Sequence, residues 1–420
     1  MQAPRRLEVR YALRLTGRLI LVALLLVGLF VGYKTVRWKA HLWLPHYAMR
    51  TLARSEESTQ KLTHVLFLFV DHYEPGRGAA AAQRSHEWLR EYKAIADRHR
   101  DSYGRKPQHT WFYAYEQKNA EVMKELVAAV YEGYGEVELH WHHGNDTNAS
   151  FAANLEEALD WLSSFGVATS AGGAASGDAA ASLAPEQPHR FGFVHGNWAL
   201  DNSGNREHCG VSRELDILRE AGCYADFTFP SFGSVSQPAT TNSIYYARDT
   251  DEPKSYDRGK QAAVGERTHE ALMIFEGPLG LAASRQFFEY GNIASDRPPS
   301  PSRLDRWVKA RVRIKGRPEW IFVKVYTHGI QDREVVLGEA TDRMFAYLEK
   351  KYGRGSFRLH YVTAREAFNV VRAAEDGLSG DPDVYRDYEV KEPVSRTLRG
   401  GASVPSASLG QAYDEGHARR

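Results

Sequence analysis

Cysteine is almost missing from this chain: Cys209 and Cys223 are the only two in 420 residues. The segment between them, VSRELDILREA, has helical spacing, with Val211, Leu215 and Leu218 on one face. A helix rising about 1.5 Å per residue would hold the two sulfurs about 20 Å apart, which excludes a disulfide and leaves two free thiols. An excess of charge of either sign is also lacking. With 54 basic and 53 acidic residues, the balance gives no reason to expect nucleic acid or another bulk electrostatic partner. Long apolar runs are absent after the N-terminus. The single run there lacks a cleavage site, because Tyr33, Lys34, Val36 and Trp38 stand where small residues would be needed.

That run, residues 19–33 (LILVALLLVGLFVGY), carries no charge and is closed by Arg18 and Lys34. It is somewhat short of the about 20 residues of a spanning helix. Leu15 to Gly17 extend it, since the flanking Arg18 and Lys34 can snorkel to the interfaces. The reading is an uncleaved membrane anchor over 15–33, with residues 1–14 cytoplasmic and 34–59 a linker. Arg5, Arg6, Arg10, Arg14 and Arg18 precede the run, against Lys34, Arg37 and Lys39 after it. The positive-inside bias then sends the remaining chain outside the cytoplasmic membrane.

From residue 60 the pattern alternates strand and helix. THVLFLFVD (63–71) is an unbroken apolar run of the kind buried on both faces of a parallel sheet. Strand character recurs at 109–115, 136–142, 190–195, 224–230, 271–275, 320–327 and 357–362. Helices are expected at 82–98, 120–131, 154–165, 212–221, 339–352 and 364–375. This rhythm predicts an α/β domain over 60–392 whose parallel strands, about seven, form a closed or nearly closed (β/α) barrel. Residues 234–270 and 294–306 read as loops, 166–184 (GVATSAGGAASGDAAASLA) as a flexible insertion, and 393–420 as a disordered tail. Aromatics make up 12% of the chain, with nine Trp and 22 Tyr, which suits a cleft that stacks on sugar rings.

The chemistry gathers around EVELHWHHGNDT, residues 136–147. In a strand, Glu138, His140 and His142 share one face and Val137 and Leu139 the other. Two imidazoles two residues apart can reach one ion. His143 would face away, unless the chain curls at Gly144 and swings it back. In a (β/α) barrel functional groups collect at the C-terminal ends of strands. Those ends read VDHYEP (70–75), HWHHGND (140–146), VHGNWALDNS (194–203), FTFPSF (227–232) and YTHG (326–329). Asp71, His140, His142, His195 and His328 therefore all close apolar strands, where a polar group is costly without a task.

This order of motifs resembles the polysaccharide deacetylase superfamily, the NodB-homology or family 4 carbohydrate esterases, over roughly residues 60–375. The resemblance implies a distorted (β/α) barrel and a divalent metal, usually zinc, held by an aspartate and two histidines. It also implies an aspartate base and a histidine acid that together deacetylate an N-acetylated glycan. Carried onto this chain, Asp71, His140 and His142 or His143 would hold the metal, and Asp71, His195 and His328 would be catalytic. Trp141, Asp146, Asn197, Trp198 and Asn202 would shape the sugar site. The departures are specific. The family's paired aspartates are reduced to Asp71 followed by His72, so either Asp71 binds metal and another group is the base, or Asp71 is the base and His72 or Glu74 completes the site. Position 144, where a second histidine would fall, is Gly, and His195 stands where an arginine motif is usual. A catalytically inactive glycan-binding or polysaccharide-assembly protein on the same barrel is the alternative. A metal-dependent glycoside hydrolase ranks last, because the strand ends offer few carboxylates.

Overall fold

The apolar run after residue 62 forms the strand around which the sheet is built. The computed structural model describes residues 3–53, 62–168, 189–282 and 287–393. Its strands are β1 (Thr63–Tyr73), β2 (His109–Ala114), β3 (Gly135–Trp141), β4 (Phe191–His195), β5 (Cys223–Asp226) and β6 (Ser243–Ala247). They continue with β7 (Lys260–Gln261), β8 (Leu272–Glu276), β9 (Gly280–Leu281), β10 (Phe288–Glu289), β11 (Trp320–Thr327) and β12 (Phe357–Val362). The helices are α1 (Ala3–Arg37), α2 (Leu44–Ala53), α3 (Ala79–Ala96), α4 (Ala120–Tyr131) and α5 (Asn148–Ser163). After them come α6 (Glu214–Glu220), α7 (Pro301–Ala310), α8 (Arg333–Val336), α9 (Glu339–Tyr352) and α10 (Ala364–Glu375).

The main sheet runs β11-β1-β2-β3-β4-β5-β8-β6-β7, with β12 also on β1. All pairings are parallel except those of β6, so the fold is α/β with a parallel-rich sheet. One edge of β1 carries β11, and the other is divided between β12 along residues 63–68 and β2 along 69–73. The sheet curls strongly. Isolated bridges Ala263–Lys315 and Val312–Phe322 connect the backbone after β7 to the free edge of β11. The buried Lys324 of β11 donates to the carbonyls of Phe227, Phe229 and Phe275, after β5 and on β8.

Period-two alternation sorts β1 between two cores. Val65, Phe67, Phe69 and Tyr73 join the cluster under α3, α4, α5 and α9, while Leu66, Leu68 and Val70 join the inner one. Each such side chain contributes about 1.5–3 kcal/mol by burial. The inner cluster is filled at its base by α10, every residue of which is buried. This leaves the C-terminal ends of the strands as the open end.

Several boundaries differ from expectation. The 234–270 region contains β6 and β7, since SIYYA is β-branched and aromatic and pairs antiparallel with β8. The 294–306 region gives way to α7, which opens on Pro301 at a position where a missing N–H costs nothing. The linker assignment fails for residues 38–53: Trp38, Trp43 and Tyr47 pack with Phe232, Leu279 and Phe288. Within α1, residues 13–37 are long and apolar enough to cross a membrane and are unburied. Both cysteines are free and buried. Residues 54–59, 169–184 and 394–420, part of the expected linker, insertion and tail, lie outside the described residues.

Candidate functional site

The inner row of β1 ends in His72, and the inner row of β3, Glu136–Glu138–His140, continues into His142. These rows, with the loop after β1, bring Glu74, His140 and His142 together so that one ligand atom of each lies within 4.8 Å of the others. His140 Nδ1 donates to the carbonyl of Val194 (2.9 Å), which fixes the tautomer and turns the Nε2 lone pair inward. That nitrogen is 3.3 Å from Glu74 Oε1, and His142 Nε2 is 3.7 Å from the same oxygen. Two ligands at about 2.0–2.1 Å from one ion, at a tetrahedral angle, stand about 3.3 Å apart. The Nδ1 of His142 donates to Glu116 Oε1 (2.7 Å), a carboxylate behind the imidazole. A Cβ on Gly196 would overlap the His142 ring, so only glycine allows this approach.

Around this trio stand His72 and His328. The His72 ring lies 5.0 Å from His140 and 4.8 Å from His328, centroid to centroid. Trp198 lies 6.3 Å from His72, tilted, and edge-on to His328 at 6.2 Å. It does so from a left-handed backbone (φ 54°), which a bulky residue adopts only when its surroundings enforce it.

The charges are mutually adjusted. Burial opposes the charged form of His142, yet Glu116 and then Glu74 hold it above its ordinary value. Burial likewise works against ionised Glu74, but His140, His142 and His328 keep it below its ordinary value. Burial, reinforced by His328 and His140, drives His72 well down. His328 is also lowered by burial, against the pull of Glu74 and Asp71.

Asp71 is a correction to the expected ligand set. It faces the opposite side of β1 from His72, where it meets His109 Nε2 (2.9 Å) and accepts from Gly329 N–H (2.6 Å). Glu74 and Glu116 occupy the site instead. His143 also departs: it faces away from His142, so Gly144 does not swing it back, and it joins His195, Cys209 and Glu214 in a second buried cluster. His195 is thus away from the His140–His142 pair. Trp141 stacks on Phe151 at 5.2 Å in the outer core and offers no sugar platform. Asp146 is bonded to His143 and Ser150, and Asn202 accepts from Gly210 N–H, so both organise loops. Asn197 is exposed beside Trp198. A third grouping, His64, His360 and Asp381, lies at the start of β1, the opposite end, where His64 Nδ1 and His360 Nε2 share a 2.9 Å hydrogen bond.

No family model matches the chain, and no curated protein matches it. Among solved structures it is similar to an alpha-mannosidase from Enterococcus faecalis V583, with TM-score 0.39 and 8% identity over 76% of this chain and 30% of that one. A 4-alpha-glucanotransferase from Thermococcus litoralis gives TM-score 0.37 and 8% identity over 72% of this chain and 39% of that one. The chain thus spans well under half the length of either enzyme.

Proposed function

We propose that this chain is a membrane-anchored, metal-dependent hydrolase that removes acetyl groups from an N-acetylated glycan outside the cytoplasmic membrane, on a distorted (β/α) barrel. The observation that carries the reading is the convergence of Glu74, His140 Nε2 and His142 Nε2, with both Nδ1 atoms committed to Val194 and Glu116. A carboxylate and two imidazoles suit zinc, with an open position left for water or substrate. A divalent metal held there would polarise the amide carbonyl and make water a nucleophile near neutral pH.

The chain's own residues supply the rest. His328 has no hydrogen-bond partner for its ring among the described residues, and burial keeps it neutral in the free site. It can take a proton from the attacking water and return it to the leaving amine. Glu74 replaces the aspartate ligand, and the buried His72, with its ring against Trp198 and Tyr326, stands beside the three ligand groups. The second reading is a glycoside hydrolase, because two carboxylates, Glu74 and Glu116, now stand at the site. It ranks lower because Glu74 faces one nitrogen of His142 and Glu116 the other, which commits both to one imidazole.

The test is acetate release from a panel of N-acetylated oligosaccharides by the full chain in detergent, before and after chelation. Turnover should be metal-dependent and lost in His140→Ala together with the metal at this site. Release of reducing ends without acetate would favour the glycosidase. Binding without either product would leave the non-catalytic glycan binder.

A further inference from the structure

The ends of β3 and β4 hold a second convergence of ligand-bearing groups, on the side of the sheet facing α5 and α6. His143, His195, Cys209 and Glu214 are all buried, and one ligand atom of each lies within 4.8 Å of the rest. Their proton positions follow from their outer partners. His195 Nδ1 is bonded to the carbonyl of Gly196, which can only accept, so Nδ1 carries the hydrogen. His143 meets a carboxylate at each nitrogen, Asp146 at Nδ1 and Glu214 at Nε2, both at 3.2 Å, and a hydrogen kept on Nδ1 frees Nε2 for an ion. The His195 Nε2 lone pair thus points inward, 3.6 Å from Glu214 Oε1, and the His143 Nε2 lies 3.2 Å from the same oxygen. Among the described residues the Nε2 of His195 has no hydrogen-bond partner. A buried acceptor left facing other acceptors calls for an ion.

The sulfur repeats the pattern. Cys209 Sγ receives the backbone N–H groups of Asn202 (3.2 Å) and Val211 (3.4 Å), an arrangement that stabilises negative sulfur. Without an ion its S–H donates to Glu214 Oε2 (3.2 Å).

We propose that His143 Nε2, His195 Nε2, Cys209 Sγ and the Glu214 carboxylate form a second, closed metal site for a tetrahedral divalent cation of the zinc class. All four positions come from protein, as in structural zinc sites, and the mixed N, S and O donors fit zinc. Thiolate and carboxylate together cancel the charge of the ion, so the buried assembly is neutral. The thiol proton leaves to solvent when the ion binds. An imidazolium His143 between Asp146 and Glu214, with the Cys209 thiol donating to Glu214, is the metal-free rival, but it leaves His195 Nε2 unbonded. The site staples the loop after β4. Glu214 Oε2 accepts from Asp201 N–H (2.6 Å), within the same left-handed stretch that presents Trp198 to His72 and His328.

The experiment is metal analysis and zinc-edge X-ray absorption on the full chain, purified in detergent without chelator. The expected spectrum contains a sulfur shell at about 2.3 Å, about one sulfur for every two zinc ions when both sites are filled. His140→Ala should empty the open site and raise the share to one sulfur per zinc. Cys209→Ser should remove the sulfur shell, and His195→Gln should lower metal content while sparing the ion at His140. If those two variants fail to fold, the wild-type spectrum decides alone. Bound zinc with only nitrogen and oxygen neighbours, or a sulfur shell that survives Cys209→Ser, would overturn the proposal. Sulfur-ligated zinc in a chain that releases no acetate would support this site while the deacetylase reading failed.

Discussion

His142 and His143 are adjacent in sequence and belong to different clusters. Each has its Nδ1 on an outer carboxylate, Glu116 or Asp146, and its Nε2 toward an inner one, Glu74 or Glu214. What differs is access. The side chains of His142 and Glu74 are 30% and 17% exposed, against 2% and 0% for His143 and Glu214. The first cluster has three ligand-bearing groups, two of them open to solvent, which is the form of a site that admits substrate. The second has four, all buried, which is the form of a site that holds the chain together. Alternation at the end of one strand is enough to produce both.

The largest effect expected from this difference is selective metal loss in acid. Imidazole must be neutral to bind metal, so protons compete for each site. His142 is held above its ordinary value, so in the metal-free fold its charged form adds stability at low pH that is lost as pH rises through its folded value. Acidification therefore displaces metal from the open site early. His195 is lowered to about 3 by burial, against the attraction of Glu214. Its neutral form is the stable one, so metal-free stability from this group is complete above the ordinary value of 6.5 and is lost as pH falls toward 3. Dialysis against a chelator at about pH 5 should strip the open site before the closed one, where burial and Glu214 push the Cys209 thiol up and make its protonation the step by which stronger acid releases the ion. Loss of both ions together would erase the distinction between the clusters.

The next effect separates catalysis from metal binding. His328→Ala should lower acetate release by about 10²–10⁴ while both sites keep their metal, because this imidazole moves a proton and ligates nothing. An ester substrate, whose leaving alcohol needs less protonation, should lose less. A variant that loses the open-site ion would place His328 among the ligands.

How much of this was legible in the sequence depends on whether a strand shows its phase. In β3 the order Glu-Val-Glu-Leu-His-Trp alternates, so the shared face of Glu138, His140 and His142 could be read directly, as could the turning away of His143. In β1, VLFLFV is apolar on both faces, so nothing in it says whether Asp71 or His72 points inward. Register supplies the answer: Asp71 pairs with Trp111 and His72 with Phe112, which in turn pair with Val137 and Glu138. Glu74 and Glu116 lie just past strand ends, where period two no longer applies and only the folded loop places them. The long helices α4, α9 and α10 cover the same residues that the strand–helix alternation predicts, 120–131, 339–352 and 364–375. Strand β6 was missed because SIYYA is short and set among turn residues, and its pairing with β8 is a tertiary choice. The second cluster was hidden for a similar reason. Cys209 and Glu214 come from a loop and a seven-residue helix, far in sequence from His143.

The smallest expected effect tests the outer carboxylates, the feature the clusters share. Glu116→Gln keeps the size and an acceptor oxygen but removes the charge behind His142. Outer partners of metal-bound histidines typically affect metal affinity or activity by about 10–100-fold. The open site should weaken by that factor, and the sulfur-ligated ion should be untouched. In the metal-free protein, the His142 titration followed by NMR should move down, because Glu116 supplies the hydrogen bond and most of the attraction that overcome burial. Asp146→Asn is the counterpart: it should weaken the closed site, leaving the open one unchanged. Each substitution acts on the Nδ1 of one of two adjacent imidazoles, so a crossed effect would mean that the clusters are coupled through the backbone between His142 and His143. Affinities that change at one site in each variant would show that a single residue step along the chain separates two independent metal environments.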